Sequence, residues 1–341
     1  SKVKPGDRVA VQVEKSPEVV FLYLASLKVG AVFLPLNSAY PPAELEFFLN
    51  DAEPRVLVCS TNKKFLLEPL CSGINVSLFT LDSDGGGNLL EMAPETGNNS
   101  IISRQGDDLA AILYTSGTTG RSKGAMITHD NLSSNARTLN RHWGFVPGDI
   151  LLHSLPIFHV HGLFVALHCA LLNASKMIWL QKFDVQQVIC NLSESTVFMG
   201  VPTHYTRLLA EDSFTKKNCS HIRLFVSGSA PLLRETFEQF QHRSGHTILE
   251  RYGMTEAGMI TSNPYSGDRL PGTVGFPLEG VSARICDKSG KELKDEQIGT
   301  LEIKGPNVFK GYWKLPEKTQ EEFREDGFFS TGDLACRDSQ G

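Results

Sequence analysis

Apolar and polar positions along the chain alternate between two rhythms. Arg8–Val13 is a short, nearly continuous apolar run of the kind a buried strand needs. Ser16–Lys28 follows with apolar residues at helical spacing, a serine at the N-cap and a proline at the first helical position. Gly30–Leu36 returns to a strand pattern, Pro42–Asn50 to a helical one and Val56–Cys59 to a strand, and Leu109–Tyr114 is a strand that runs into a glycine-rich segment. Further on, the strand-like runs Met177–Leu180, Val197–Val201, Leu224–Ser227 and Thr247–Arg251 are separated by helix-like stretches. This alternation predicts an α/β fold with mostly parallel sheets. After about Gly267 the texture changes: Gly272, Gly275, Gly280, Gly299, Gly305 and Gly311 punctuate short runs such as Ser282–Cys286 and Gly299–Ile303, which predicts a smaller β-rich lobe. The expected division is therefore a core of two subdomains over 1–266 and a lobe over 267–341, with 82–107 as a polar surface excursion.

Composition narrows the function classes. A formal net charge of −5 and a pI near 6.1 offer no general attraction for nucleic acid or an anionic membrane. The apolar stretches Val19–Leu27 and Leu163–Leu172 fall short of the roughly 20 residues that span a bilayer. Seven cysteines, with no Cys-x-x-Cys pair, read as reduced thiols that mostly fill core space. The first residues lack the zones of a signal peptide. Cytoplasm is the default compartment, the mitochondrial matrix is the alternative, and oligomeric state is open.

The chemistry concentrates in Tyr114-Thr115-Ser116-Gly117-Thr118-Thr119-Gly120-Arg121-Ser122-Lys123-Gly124. Glycines let backbone N–H groups approach phosphate oxygens, hydroxyls add donors and a lysine adds charge. The spacing is not that of a Walker P-loop. Gly-x-Ser-x-Gly is also missing, which argues against a serine hydrolase. Three more motifs follow in order: Ser227-Gly228-Ser229-Ala230-Pro231-Leu232, Tyr252-Gly253-Met254-Thr255-Glu256, and Ser330-Thr331-Gly332-Asp333, the last led in by Gly305–Trp313.

Together these motifs resemble the acyl-adenylate-forming superfamily over essentially the whole chain. The resemblance implies the large N-terminal domain of that fold, two stacked, mostly parallel α/β subdomains plus a β-rich lobe, and an acid–CoA ligase that uses ATP and Mg2+ with CoA as co-substrate. It places the nucleotide on Thr115, Ser116, Gly117, Thr118, Thr119, Gly120, Lys123, Gly228, Ser229, Ala230, Pro231, Glu250, Arg251, Tyr252, Gly253, Met254, Thr255 and Asp333. Tyr252 would pack on adenine, Thr255 meet the α-phosphate and Asp333 hold the ribose. The implied catalytic set is Thr118, Lys123, His159, Thr255 and Glu256, with magnesium on Glu256 and Thr118. Whole members of the superfamily continue through a hinge into a small C-terminal domain that carries a catalytic lysine. No such domain lies in these 341 residues, and the usual first helices and strands are also missing, so the chain is expected to be part of a larger enzyme.

Arginines point to the acid. A pocket for fatty or aromatic acids is apolar, whereas Arg207 lies in Gly200–Arg207 and Arg251 directly precedes Tyr252. An arginine fork matches a carboxylate bidentately. With His159–Phe164 and Asn307–Trp313, these segments resemble malonyl-CoA synthetases, which implies malonate or methylmalonate as substrate and His161, Arg207, Arg251 and Ser229 as its contacts. Other readings stay open: a helix-surface role for Arg207, an ion pair of Arg251 with Glu250, and core roles for the histidines. His159 and His161 alternate along a stretch read as extended, and so are expected to point the same way. They lack a third ligand for a metal. Arg269 is read as a loop residue bound to solvent or Asp268. A ligase for another short or medium acid, a peptide-synthetase module, and a non-catalytic nucleotide-binding fragment remain as alternatives.

Overall fold

The structure, a computed structural model, describes residues 3–92, 100–115 and 122–341. They form two compact units. The first comprises Ser1–His129, Ile157–His159 and Lys310–Lys314. Its sheet contains β1 (Arg8–Gln12), β2 (Val32–Pro35), β3 (Val56–Cys59), β4 (Ser77–Thr80), β5 (Leu109–Thr115) and β6 (Lys123–Thr128), in the order β4-β3-β1-β2-β5-β6. All neighbours are parallel except β5 and β6. Helices Pro17–Lys28, Pro42–Ala52 and Lys64–Gly73 alternate with these strands, and Leu34, Leu45, Phe48, Leu49 and Leu57 are shut away in the core between them. Ser16 takes the N-cap position with extended backbone, but its hydroxyl makes no capping bond; it is buried without a partner.

The second unit holds the remaining residues. Its larger sheet contains β7 (Ile150–His153), β8 (Lys176–Trp179), β9 (Val197–Gly200), β10 (Leu224–Ser227), β11 (Leu249–Met254), β12 (Gly258–Ser262) and β13 (Phe276–Pro277), in the order β13-β12-β11-β10-β9-β7-β8. The strands from β8 to β11 run parallel, and β12 and β13 return antiparallel. A three-stranded antiparallel sheet follows, made of β14 (Ser282–Cys286), β15 (Gly299–Lys304) and β16 (Phe329–Ala335). The α/β expectation therefore holds, with two largely parallel sheets and a small antiparallel one. An aromatic cluster of Phe198, Tyr205, Phe225 and Phe240 fills the core, ring edges against ring faces. Tyr205 closes its polar end by donating to Val226 O at 2.6 Å.

The amino ends of three neighbouring strands are tied by one buried carboxylate. Asp149, just before β7, accepts from Arg223 Nε at 2.8 Å and Nη2 at 2.6 Å, from Thr196 Oγ1 at 2.8 Å and from Val146 N at 2.9 Å. Thr196 precedes β9 and Arg223 precedes β10. All seven cysteines are free, and Cys59, Cys71, Cys169, Cys219 and Cys286 are buried. Among the described residues no helix is long and apolar enough to cross a membrane.

Burial opposes the charge on Asp149, but its hydrogen bonds from Arg223, Val146 and Thr196 overcome that and hold the pKa below the ordinary carboxylate value. A depressed folded-state pKa gives stability that is present above the unfolded value and lost as pH falls through the folded one. Asp149→Asn should therefore lower the unfolding free energy by about 3 kcal/mol at pH 7, the scale for breaking a buried pair. The difference from the native chain should shrink below about pH 4. Denaturant unfolding followed by tryptophan fluorescence at several pH values measures both; a deficit that does not change with pH would show that the charge is not what matters.

Candidate active site

In the first unit, Thr115 ends β5 directly opposite Lys123, the first residue of β6. Ser116, Gly117, Thr118, Thr119 and Gly120 lie outside the described residues. The base of the segment is held by 310–314, which runs along β6: Met126 N donates to Gly311 O at 2.9 Å, Lys310 N to Met126 O at 2.9 Å and Trp313 N to Gly124 O at 2.7 Å. Space at Gly124 is tight: a Cβ would come 3.0 Å from Ile112 and 3.3 Å from Trp313 and Tyr114, so a side chain there would push its neighbours aside. The Lys123 ammonium sits 4.1 Å from the Tyr312 ring centroid. His159, in a bend, is exposed and packs on the Phe158 ring at 4.6 Å.

In the second unit, the predicted residues gather where β7, β9, β10 and β11 end, the carboxyl edge at which open parallel sheets bind ligands. After β10, Gly228 is buried while Ser229, Ala230 and Pro231 are exposed, and Ser229 adopts a left-handed φ of 71°, a strained choice for a residue with a side chain. Glu250 and Arg251, adjacent on β11, point to opposite faces. The Glu250 carboxylate accepts from Leu232 N at 3.1 Å and so anchors the β10 turn; burial raises its pKa.

Arg251 is 3% exposed, and its Nε and Nη2 have no hydrogen-bond partner among the described residues. Burial lowers its pKa to about 9, so it stays cationic at neutral pH. The guanidinium packs directly on Gly228. No ion pair with Glu250 forms. Nearby, His161 is buried and its Nδ1 lies 3.5 Å from Ser229 Oγ. Burial first, and then Arg251, hold its pKa well below the ordinary value, so the ring is neutral. Arg207 sits exposed on the helix Pro202–Leu209, 4.8 Å over the Phe183 ring.

β11 runs through the Tyr-Gly-Met motif, three residues beyond its expected end at Arg251. Thr255 and Glu256 form the tight turn into β12, closed by Ala257 N donating to Met254 O at 3.2 Å. Gly253 is required because a Cβ there would lie 2.2 Å from Gly258 O. Glu256 is 5% exposed. Tyr252 Oη donates to Asp333 Oδ2 at 2.5 Å, which joins this hairpin to β16. Burial, then this bond, raises the pKa of the phenol.

Two expectations fail. The stretch through His159 and His161 is not extended: His161 opens a π-helical turn, His161–Ala166, that leaves it buried while His159 is exposed. Gly162 makes this turn possible, since a Cβ would fall 2.0 Å from Pro156 O. Arg269 binds neither solvent alone nor Asp268; it donates to the carbonyls of Pro264 (3.1 Å), Thr247 (2.7 Å) and Tyr265 (2.8 Å). Two carbonyls from the turn after β12 and one from the segment before β11 give a guanidinium fork more than a single neighbouring acid could.

Two largely parallel sheets, a small antiparallel one, and motif turns at the carboxyl edge define the N-terminal domain of an adenylate-forming protein. The AMP-binding enzyme family profile matches residues 1–313, and the chain belongs to that family. It is 37% identical to the mitochondrial malonate–CoA ligase ACSF3 of Mus musculus over 96% of its own length, and spans 62% of that relative. ATP-bound MatB from Rhodopseudomonas palustris superimposes with a TM-score of 0.97 at 53% identity, over 100% of this chain and 68% of that one. A malonyl-CoA ligase in a product complex with methylmalonyl-CoA and AMP superimposes with a TM-score of 0.85 at 33% identity, over 98% of this chain and 70% of that one.

The packing of Gly228 on Arg251 can be tested without any ligand. A Cβ on Gly228 would lie 2.3 Å from Arg251 Cζ. Gly228→Ala should destabilise the chain by about 2 kcal/mol through overpacking, and should be nearly neutral in an Arg251→Ala background, where the space is free. Denaturant midpoints of the two single variants and the double variant decide it; equal penalties in both backgrounds would refute the contact.

Proposed function

We propose that this chain is the nucleotide- and acid-binding part of an ATP-dependent acid–CoA ligase that adenylates malonate, with methylmalonate as the second candidate, and passes the acyl group to CoA, releasing AMP and pyrophosphate. The observation that carries the reading is the buried, unpartnered guanidinium of Arg251. An isolated cation in a protein interior is unfavourable by several kcal/mol unless an anion meets it. Beside it stand a neutral His161 and the Ser229 hydroxyl, both able to hydrogen-bond a carboxylate, with Arg207 near the same edge. A dicarboxylate fits this arrangement: one carboxylate pairs with the arginines and leaves the other to react. The names of the similar ligases support the same choice.

In the proposed reaction the free carboxylate oxygen attacks the α-phosphorus of ATP and the bond to pyrophosphate breaks. A thiol then attacks the acyl carbon and AMP leaves. Negative charge accumulates on phosphate oxygens, so the chain's part is positioning and electrostatic stabilisation. Lys123 and the donors of 115–120 would face the phosphates, Thr255 the α-phosphate, and Asp333 the ribose, with Tyr252 and Gly228–Pro231 against the base. His159 would serve as a wall near the anhydride. Glu256, an oxygen donor in a tight turn, suits magnesium, which favours one or two carboxylates completed by water and substrate phosphates. With Thr118 it would hold that ion, which would neutralise phosphate charge. The division at 267 between nucleotide-binding core and β-rich lobe belongs to the same proposal. So does the compartment: cytoplasm, or the mitochondrial matrix as in the mouse relative's name.

Calorimetric titration of malonate, methylmalonate, acetate and octanoate into the chain preloaded with a non-hydrolysable ATP analogue and magnesium tests the reading. Malonate should bind and octanoate should not. Arg251→Ala should weaken malonate about a hundredfold, the scale of a lost charge-assisted contact, and leave the nucleotide affinity nearly unchanged. Equal losses for both ligands would remove Arg251 from the acid pocket. A preference for octanoate would keep the family and discard malonate.

A further inference from the structure

Arg207 begins with a handicap. It is exposed, and among the described residues its guanidinium makes no hydrogen bond and no ion pair. A long side chain that is free in solution must lose its rotamer freedom when it grips a carboxylate. The contact it does make is with the Phe183 ring, 4.8 Å from Cζ to centroid. Phe183 lies between β8 and the helix Val185–Leu192, outside every recognised motif. Its own position is fixed, since it packs against the aromatic core and its ring stacks on the His204 imidazole at 3.9 Å and 13°. His204 precedes Arg207 by one helical turn, and its Nδ1 is buried without a partner against Gly200 at the end of β9. Burial, and then the nearby Arg207, lower the His204 pKa to about 4, so the ring stacks uncharged and does not repel the arginine.

We propose that Phe183 is a positioning residue for Arg207 and thereby sets selectivity for a substrate with a second carboxylate. Stacking occupies the face of a guanidinium and leaves its N–H edge free for a bidentate carboxylate. The ring therefore restricts the arginine before the acid arrives, which reduces the entropy lost on binding. Chain geometry supplies the support: the carboxyl end of β9 fixes His204, His204 fixes the ring, and the ring fixes Arg207.

The inference rests on the malonate reading, and the test separates the two. In the full-length enzyme, Phe183→Leu keeps apolar bulk without a π-face and should raise the malonate KM about tenfold while kcat and the ATP KM stay within about twofold, the scale of a cation–π contact plus one immobilised side chain. Phe183→Tyr should restore the native KM, which mere loss of packing would not predict. In an Arg207→Ala background, Phe183→Leu should have no further effect on the malonate KM. If Arg207→Ala is selective for malonate but the Phe183→Leu loss adds to it in full, the positioning role is overturned and the malonate reading stands. If Arg207→Ala leaves the malonate KM unchanged, the positioning role is overturned, while the malonate reading stands or falls with Arg251→Ala.

Discussion

A cation held in the protein interior without a counter-charge is the constraint around which the carboxyl edge of the larger sheet is arranged. Arg251 needs space, so the residue opposite it is glycine, and Gly228 has no alternative that leaves the guanidinium where it is. His161 beside it is neutral, held so first by its own burial and then by the arginine. Its sequence neighbour Glu250 would neutralise it on the same face, but strand alternation sends that carboxylate the other way, where it anchors Leu232 and shapes the turn that carries Gly228. Charge, glycine and turn are thus consequences of one another. The Asp149–Arg223 network ties the amino ends of β7, β9 and β10, the last of which leads into the turn that carries Gly228.

The small antiparallel sheet depends on a different balance. Glu302 on β15 is completely buried yet ionised, because Arg284 and Arg324 reach it at 2.8 Å and 2.6 Å. Burial alone would raise its pKa; the two arginines reverse that. This pairing stiffens the sheet from within, so that Asp333 on β16 meets Tyr252 in a fixed geometry. Where the larger sheet leaves the Arg251 charge unmet, the smaller one satisfies the charge of Glu302.

Two interior strands were legible because burial on both faces leaves nearly continuous apolar runs: Val56–Cys59 and Leu224–Ser227 end where expected. The half-exposed edge strand Ser282–Cys286 also ends where expected, in a region that glycines divide into short runs. The strands that the sequence does not announce include β7, interior and parallel on both sides, as well as strands with local partners. β6 begins on motif residues and β12 directly follows a motif turn, and both pair antiparallel with the preceding strand, so their sequence answers to the turn as much as to the core. The π-helical turn at His161 could not be read, since alternation His-x-His fits extended backbone equally well; only the clash of a Cβ at Gly162 with Pro156 O reveals it. Gly162 was the available signal. Arg269 was misjudged because carbonyl acceptors leave no mark in sequence. Phe183 was passed over for a related reason: stacking partners separated by 21 residues share no spacing rule, although His204 and Arg207, one turn apart, already placed two members of that stack on one helix face.

On the proposed reading, the unequal burial of the two arginines has a consequence for selectivity. Arg207 is exposed, so water solvates it whatever acid is bound and a monocarboxylate loses little there. Arg251 is buried. Its desolvation is already present in the free chain, so a second carboxylate that meets the guanidinium recovers that cost as binding energy, whereas a monocarboxylic acid of the same length leaves it unmet and gains nothing there. Rejection of the wrong acid then comes from the protein's own unmet group rather than from a steric gate, which is how a site built for a polar partner discriminates more sharply than an apolar pocket can. The same reasoning explains why the exposed arginine, and not the buried one, rests on an aromatic ring: packing already holds Arg251 in place, and only Arg207 has freedom left to remove.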